Sequence, residues 1–231
     1  MPPDVGVVIV AAGQGTRLGG AVPKQYLPLG GVPLLLRALR PFTAHPEVAH
    51  TVVVLPAAEA AAPPGWLASV LGGSLTVTAG GAERSDSVAR GLAALPPTCQ
   101  VVLVHDAARP FVDPAIISAV IAVARRGEGA VPAVPVGDTL KEAETDRPAG
   151  EAPRVRRTVP RDSLYRAQTP QGFPRAVLEA AHARAAATGG SATDDALLVE
   201  QLGVPVRLLP GSARNLKITT EEDLRIAERL L

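Results

Sequence analysis

Continuous apolar runs alternate with amphipathic segments along most of the chain. The run at 5–12, VGVVIVAA, is rich in β-branched residues and is typical of a strand that is buried on both faces. Similar runs predict further strands at 49–56, 74–80, 100–111, 129–136 and 205–210. Helical spacing and helix-start residues predict helices at 33–42, 84–95, 113–126, 174–187, 193–203 and 220–231.

This alternation predicts an α/β fold. Strands that alternate with helices imply crossover connections and a mainly parallel sheet with helices on both faces. Polar motifs then lie at the carboxyl ends of the strands, where such sheets bind ligands. The prolines of 129–136 indicate an edge strand or a bulge. A chain of 231 residues is long enough for a real core, and we expect a single domain over residues 1–231.

The segment 137–160 departs from the pattern, because it is charged and has few apolar residues. One interpretation is a disordered insertion. The other is an extended two-stranded arm, in which Val155, Thr158 and Val159 belong to the return strand and RPAGE (147–151) forms the tip. Composition alone leaves both open.

Charge and cysteine content narrow the classes of partner and location. The formal net charge is +1, so we expect neither a nucleic-acid nor a membrane partner. The single cysteine, Cys99, excludes an intramolecular disulfide and favours a reducing, cytoplasmic location. Asp4 interrupts any signal-peptide pattern, and the apolar run 5–12 is too short to span a bilayer.

The loop after the first strand, AAGQGTRLGGAVPKQ (11–25), is both glycine-rich and basic. A dinucleotide fingerprint requires a third glycine where Leu18 stands, and a P-loop requires a Gly-Lys-Ser/Thr that is missing. A glycine turn with stray cations and a loop wrapped around a nucleoside triphosphate both remain. The second is favoured because Arg17 and Lys24 repel each other unless an anion lies between them. Lysine is rare in this chain, which has only Lys24, Lys141 and Lys217.

Seven motifs occur in the order and spacing of one protein family. They are AAGQGTRLGGAVPKQY, AGGAERSDSV, VLVHDAARPF, DTLK, TPQGF, TDDA and NLKIT. From residue 7 to the C-terminus the chain resembles the 2-C-methyl-D-erythritol 4-phosphate cytidylyltransferase family. The resemblance implies a Rossmann-like nucleotidyltransferase fold. It also implies that a polyol phosphate attacks the α-phosphorus of CTP and expels pyrophosphate, in non-mevalonate isoprenoid biosynthesis. Mg²⁺, or another divalent cation, is expected mainly on the CTP phosphates. Some relatives carry a fused cyclase, which we do not expect within these 231 residues.

The resemblance also assigns roles to individual residues. Arg17 and Lys24 match stabilisers of the transition state, whereas Lys217 and Arg161 match cations that hold the attacking phosphate. In the family, the arm at 137–160 forms a homodimer, and the arginine that matches Arg161 reaches the partner's site. The implied nucleotide-binding residues are Ala11, Ala12, Gly13, Gly15, Gly80, Gly81, Ala82 and Ser87. The implied substrate-binding residues are Asp106, Arg109, Thr139 and Thr193.

Each assignment has a plainer alternative. Asp106 and Thr193 also suit a turn or helix cap, Ser85 to Ser87 suit caps of the following helix, and Lys217 suits an exposed surface position. His105 is expected to pack at its strand end. Ala82 replaces an acid that is frequent in the family, which leaves the preference for cytosine over uracil open. A cytidylyltransferase for another polyol phosphate, such as ribitol 5-phosphate, and a non-catalytic nucleotide-binding module are the alternative functions.

Overall fold

The computed structural model describes residues 2–13, 23–146, 150–189 and 192–231. Within these ranges the strands are β1 (Val5–Val10), β2 (Pro28–Leu29), β3 (Val32–Pro33), β4 (Val48–Leu55), β5 (Leu75–Ala79), β6 (Val101–Asp106), β7 (Gly129–Pro135), β8 (Leu140–Ala143), β9 (Val155–Val159), β10 (Tyr165–Ala167), β11 (Gln171–Pro174) and β12 (Val206–Pro210). The helices are α1 (Leu34–Thr43), α2 (Ala57–Ala61), α3 (Gly65–Ala68), α4 (Arg84–Ala94), α5 (Pro114–Ala124), α6 (Arg175–Thr188), α7 (Asp195–Glu200) and α8 (Glu221–Glu228), with a 3-10 helix at Lys24–Tyr26. Every strand and helix predicted from the sequence has a counterpart here.

The central sheet has eight strands, in the order β10-β7-β11-β6-β1-β4-β5, and β12 pairs with β7. β1 lies between β4 and β6 and is parallel to both, and β5 extends the parallel half beyond β4. The short strands β10 and β11 run antiparallel to β7 and β6. The predicted mainly parallel α/β sheet is therefore confirmed, with an antiparallel insertion that the sequence did not reveal.

The expectation that 129–136 is an edge strand is wrong. β7 has β12 on one side and β10 and β11 on the other. Of its two prolines, Pro132 is accommodated because its carbonyl accepts a hydrogen bond from the Gln168 N–H at 2.7 Å, so Pro132 faces the gap between β10 and β11. A missing N–H costs little where the neighbouring strand is interrupted.

Alternate residues of β1 enter two separate core layers. Val7 and Ile9 pack in the layer that includes Leu39 of α1 and Ile121 of α5. Val8 packs in the opposite layer, with side chains of α4, α6 and α7. This burial on both faces explains why the strand is apolar at every position. The helix layers leave the carboxyl ends of β1 and β6 accessible for a site.

Local capping confirms the predicted starts of α5 and α8. Asp113 caps α5 by accepting a hydrogen bond from the Ala115 N–H at 2.8 Å, and Thr220 caps α8 by accepting one from Asp223. At α4 the N-cap residue is Glu83, and Asp86 accepts from its backbone N–H at 3.0 Å. Among the helices of the described ranges, none is long and apolar enough to cross a membrane.

The arm is formed as predicted, because β8 and β9 pair as an antiparallel ribbon. Leu140 lies opposite Val159, and Lys141 lies opposite Thr158. Glu142 forms ion pairs with Arg156 and Arg157 on the return strand. The disordered-insertion alternative is wrong for the paired segments, whereas residues 147–149 of the expected tip lie outside the described residues.

Candidate active site

A cavity of about 270 Å³ opens at the carboxyl ends of β1 and β6. Nine of the residues assigned from the sequence line it, namely Ala11, Ala12, Gly13, Lys24, Gly81, Ala82, Ser87, Asp106 and Lys217. They come from segments that are far apart in sequence, so the fold brings together most of the motifs that carried the family resemblance. Arg17 and Gly15 lie outside the described residues.

The two loops that carry the predicted nucleotide-binding residues touch each other. A Cβ atom on Gly80 would lie 2.5 Å from the Cβ of Ala12 and 2.8 Å from the Oγ of Ser87. Glycine at this position therefore allows one loop to pack on the other. Ser87 accepts a hydrogen bond from the Gly81 N–H and donates one to the Glu83 carbonyl, each at 3.1 Å. The serine hydroxyl therefore links Gly81 to Glu83, and Ser87 also lines the cavity.

Asp106, the last residue of β6, is surrounded by cations. Its Oδ2 atom lies 2.9 Å from the Nζ of Lys217 and 3.8 Å from the Nε of Arg109. Its Oδ1 atom lies 3.7 Å from the Nη2 of Arg84. Burial alone raises the pKa of this carboxyl, but the charges of Lys217 and Arg84 outweigh that effect and lower the pKa to about 2. Asp106 is therefore ionised at neutral pH, and the cations around it leave positive charge for an anionic ligand.

Arg109 lies behind the cavity wall. Its Nη1 group donates to the carbonyl of Asn215 at 2.7 Å, and its Nη2 group donates to that of Ala167 at 3.4 Å. Its side chain is 11 % exposed, and burial lowers its pKa. The observed contacts of Arg109 are thus with Asp106 and with backbone. Its assigned contact with substrate stays a prediction.

A buried hydrogen-bond chain fixes the end of β6. The carbonyl of Arg109 can only accept, so the Nε2 of His105, 3.0 Å away, carries the proton. The Nδ1 of the neutral ring then accepts from the Thr169 hydroxyl at 3.0 Å, and that hydroxyl accepts from the Asp106 N–H at 3.1 Å. Burial lowers the pKa of His105 to about 4, which keeps the ring neutral. The expected packing role of His105 is confirmed.

Arg84 is a cavity residue to which the sequence assigned no role. Its Nη1 donates to the Oδ2 of Asp195 at 2.8 Å. The other oxygen of Asp195 lies 3.0 Å from the Nε2 of His182. Asp195 is 1 % exposed, so this acid acts as a buried support that directs Arg84 toward Asp106. Arg84 and Asp195 lie within two of the motifs that carry the family resemblance, AGGAERSDSV and TDDA. Their place in these motifs was the signal in the sequence that could have identified them.

Besides Gly80 and Arg109, three assigned residues of the described ranges do not line the cavity of this single chain. Thr139 is exposed just before β8, and Arg161 is exposed just after β9, where its Nη1 donates to the Gly137 carbonyl. Thr193 is also exposed, and the cap of α7 is Asp194, which accepts from the Leu197 N–H at 3.1 Å. The alternative in which Thr193 caps this helix is therefore wrong.

The donor set of the described residues bears on metal binding. No group of three or more His, Cys, Asp or Glu side chains that could hold a metal ion occurs in those ranges. Asp106 is ionised but already faces Lys217 and Arg84. This arrangement fits an ion that takes most of its ligands from substrate phosphates and water, as Mg²⁺ commonly does.

Comparisons with known proteins show the family of the chain. The family model for IspD, 2-C-methyl-D-erythritol 4-phosphate cytidylyltransferase, matches residues 5–231. A "Bifunctional enzyme IspD/IspF" of Clavibacter michiganensis is 48% identical over 99% of this chain, which spans 55% of that relative's length. A 2-C-methyl-D-erythritol 4-phosphate cytidylyltransferase of Frankia casuarinae is 46% identical over 99% of this chain and 82% of its own length. The crystal structure of the enzyme of that name from Thermus thermophilus superposes with a TM-score of 0.78 at 41% identity, with 96% of each chain covered. The chain belongs to the 2-C-methyl-D-erythritol 4-phosphate cytidylyltransferase family.

Proposed function

We infer that the chain transfers the cytidylyl group of CTP to 2-C-methyl-D-erythritol 4-phosphate and releases pyrophosphate. The observation that carries this conclusion is the meeting of Lys24 and Lys217 in one cavity whose walls are the glycine-containing loops. These lysines come from opposite ends of a chain in which lysine is rare. Two phosphorylated substrates repel each other, so cations that converge on one site are what this reaction requires.

The chemistry follows from where charge accumulates. The phosphate oxygen of the acceptor attacks the α-phosphorus in line, and negative charge spreads over the equatorial oxygens before pyrophosphate leaves. Lys24 is proposed to stabilise that growing charge, together with Arg17. Lys217 is proposed to hold the attacking phosphate close to the α-phosphorus. Its contact with Asp106 limits where its ammonium group points.

We propose that Mg²⁺, or another divalent cation, accompanies the triphosphate. The ion would be held mainly by phosphate oxygens and water, and we assign it no protein ligand. When bound, the ion would neutralise part of the negative charge on the leaving pyrophosphate. The support from this chain is that Asp106, which is ionised, lines the cavity beside Lys217, where the proposed triphosphate would lie.

The test is pyrophosphate release with CTP, Mg²⁺ and each candidate acceptor in turn. We expect release with 2-C-methyl-D-erythritol 4-phosphate and little with ribitol 5-phosphate. Release only with ribitol 5-phosphate contradicts the substrate assignment, and CTP binding without turnover on any polyol phosphate favours the binding module. CTP is expected to be preferred over UTP and ATP, because a wall of backbone and small side chains suits a pyrimidine. Equal turnover of UTP contradicts that preference and would indicate that Ala82, in place of an acid, has removed the discrimination between cytosine and uracil.

Homodimerisation through the 137–160 arm belongs to the same proposal. Its support is the exposure of Val155, which is 59% exposed on a ribbon that projects from the sheet. Arg161, Thr139 and Thr193 would then have a route to a site formed with the partner. A cytoplasmic location is proposed as well, with the single cysteine, Cys99, as its support.

A further inference from the structure

The 3-10 helix that brings Lys24 to the cavity is attached on its outer side to one carboxylate. Gln25 donates from Nε2 to the Oε2 of Glu59 at 3.3 Å, and the hydroxyl of Tyr26 donates to the same oxygen. Glu59 belongs to α2, the short helix after β4. Two consecutive residues that follow Lys24 are therefore tied to a single atom of a separate element.

An aromatic contact supports the same attachment. The rings of Tyr26 and Trp66 meet edge to face, with centroids 5.5 Å apart and an interplanar angle of 76°. Trp66 lies in α3, so α2 and α3 together form the outer support of the 3-10 helix. Burial and the Glu59 carboxylate raise the pKa of Tyr26, which keeps its hydroxyl a donor at neutral pH. Gln25 is 6% exposed and lines the cavity, so the contacts of Gln25 and Tyr26 connect α2 and α3 with the cavity.

We propose that Glu59 is a positioning residue for Lys24, acting through Gln25 and Tyr26. This inference rests on the proposed function, in which Lys24 stabilises charge that grows in the transition state. Glu59 is not among the cavity-lining residues, so its effect passes through the 3-10 helix. The helix itself is closed by single backbone bonds, from the Tyr26 N–H to Pro23 and from the Leu27 N–H to Lys24. So short a turn depends on outside contacts for its orientation.

The variants are Glu59→Ala, Glu59→Gln and Tyr26→Phe, each made in the wild-type chain and in a Lys24→Ala chain. We expect Glu59→Ala to lower kcat roughly 10- to 100-fold, because misplacing a catalytic group by about 1 Å has effects of that order. The dissociation constant for CTP should change much less. Tyr26→Phe keeps the ring against Trp66 and should lower kcat in the same direction. Glu59→Gln should keep most of the activity, because its amide oxygen still accepts.

The Lys24→Ala background separates positioning from general damage. If Glu59 acts through Lys24, Glu59→Ala lowers the residual kcat of that background no further. The single tryptophan of the chain, Trp66, adds a readout without turnover, since its emission should shift in Glu59→Ala. Glu47→Ala is the matched control, because that glutamate pairs with Arg125, away from the cavity.

Two results overturn the inference in an active wild-type chain. One is an unchanged kcat in Glu59→Ala. The other is an equal fall of kcat in both backgrounds, which would assign Glu59 to overall stability. A wild-type chain that releases no pyrophosphate contradicts the proposed function first, and the positioning role with it.

Discussion

At the residue scale, the ionisation of Asp106 is set by its neighbours. Lys217, Arg84 and Arg109 approach its two oxygens within 2.9 to 3.8 Å. Desolvation works against the charged form, but the cations lower the pKa of the folded state from 3.8 to about 2. A lowered pKa in the folded state stabilises the protein above the unfolded-state value. That contribution is lost as the pH falls from about 4 toward 2.

Asp106→Asn is therefore expected to destabilise the protein in a pH-dependent way. The pKa shift corresponds to about 2 kcal/mol at pH 7, because one pKa unit equals roughly 1.4 kcal/mol. The difference in unfolding free energy between wild type and variant should shrink below pH 4, where the carboxyl of the unfolded chain takes up a proton while the native carboxyl, with a pKa of about 2, is still ionised. Urea denaturation from pH 7 to pH 3 measures it. Asp138→Asn, at an exposed position, is the control, and a difference that does not vary with pH contradicts the argument.

Lys24→Ala is expected to lower kcat roughly 100- to 1,000-fold, the usual effect of removing one preorganised donor to a transition state. The dissociation constant for CTP should rise far less, because the assigned contact strengthens as charge grows on the α-phosphate. Steady-state kinetics with an equilibrium binding measurement separate the two. Arg126→Ala removes an exposed cation just after α5 and serves as the control. A near-normal kcat with a raised KM would assign Lys24 to ground-state binding.

The sequence motifs identified residues that line the cavity, but they did not identify the contacts that hold those residues in place. Lys24, Asp106 and Lys217 were assigned because they match motif positions of the family that the chain resembles. The rarity of lysine supported Lys24 and Lys217, and its position at a strand end supported Asp106. Arg84 and Asp195 were not found, because a charged residue at a helix start is adequately explained as a cap until its distant partner is known. Their separation in sequence is 111 residues. Only the contact between the starts of α4 and α7, where Arg84 donates to Asp195, makes Arg84 part of the site.

At the element scale, the loop after β1 and the loop after β5, which carry the predicted nucleotide-binding residues, form one wall of the cavity by direct contact. The Gly80 N–H donates to the Leu55 carbonyl at 2.7 Å, and the Ala11 N–H donates to the Val54 carbonyl at 2.9 Å. Both loops are thus attached to the end of β4, which lies between them in the sheet. The cavity wall depends on how closely these loops approach each other.

Gly80→Ala tests that close approach. The added Cβ would lie 2.5 Å from Ala12, so the two loops must separate. We expect a loss of about 1–3 kcal/mol in the free energy of unfolding, as for other overpacked sites, and weaker CTP binding. Thermal unfolding and calorimetric titration with CTP measure both effects. Gly65→Ala is the matched control, because an added Cβ meets nothing within 4 Å there. Unchanged CTP affinity in Gly80→Ala would show that loop separation does not matter.

The parallel half of the sheet could be predicted from the sequence, and the antiparallel part could not. β1, β4 and β6 are buried on both faces, and this produces long apolar runs. β10 and β11 cover only Tyr165–Ala167 and Gln171–Pro174. Such short segments are stabilised by pairing with β7 and β6 and show no period of their own. Tertiary pairing, which the local sequence does not record, decides their structure.

At the scale of the whole molecule, the C-terminal segment completes the site begun by the N-terminal loop. Ile218 and Ala227 are buried against Leu29 and Leu34 in one small apolar cluster. This packing places Lys217, beside Ile218, in the lining of the cavity that Lys24 also lines. Predicting the elements separately could not reveal this meeting, because it depends on how α8 packs on the segment before α1.

In an isolated subunit the arm formed by β8 and β9 has few contacts that stabilise it. A two-stranded ribbon is marginal in water, and most residues of β9 are exposed. Pairing with the same arm of a second subunit would cover Val155 in an isologous contact. Val155→Asp is therefore expected to shift the protein from dimer to monomer in analytical ultracentrifugation. Thr158→Asp, also on β9, tests whether any charge on the ribbon has that effect. A wild-type chain that sediments as a monomer at micromolar concentration contradicts the dimer.

Mixing two inactive variants tests whether Arg161 acts in its partner's site. Arg161 is exposed at the exit of the arm, and Pro160 restricts the backbone just before it. In a heterodimer of Arg161→Ala and Lys24→Ala subunits, one site has Lys24 from the first subunit and Arg161 from the second. The other site lacks both. With random exchange, half of the dimers are mixed, so activity should rise to about a quarter of the wild-type value. Two differently tagged wild-type subunits establish that exchange is complete. If exchange is complete and activity does not rise, Arg161 does not act across the interface.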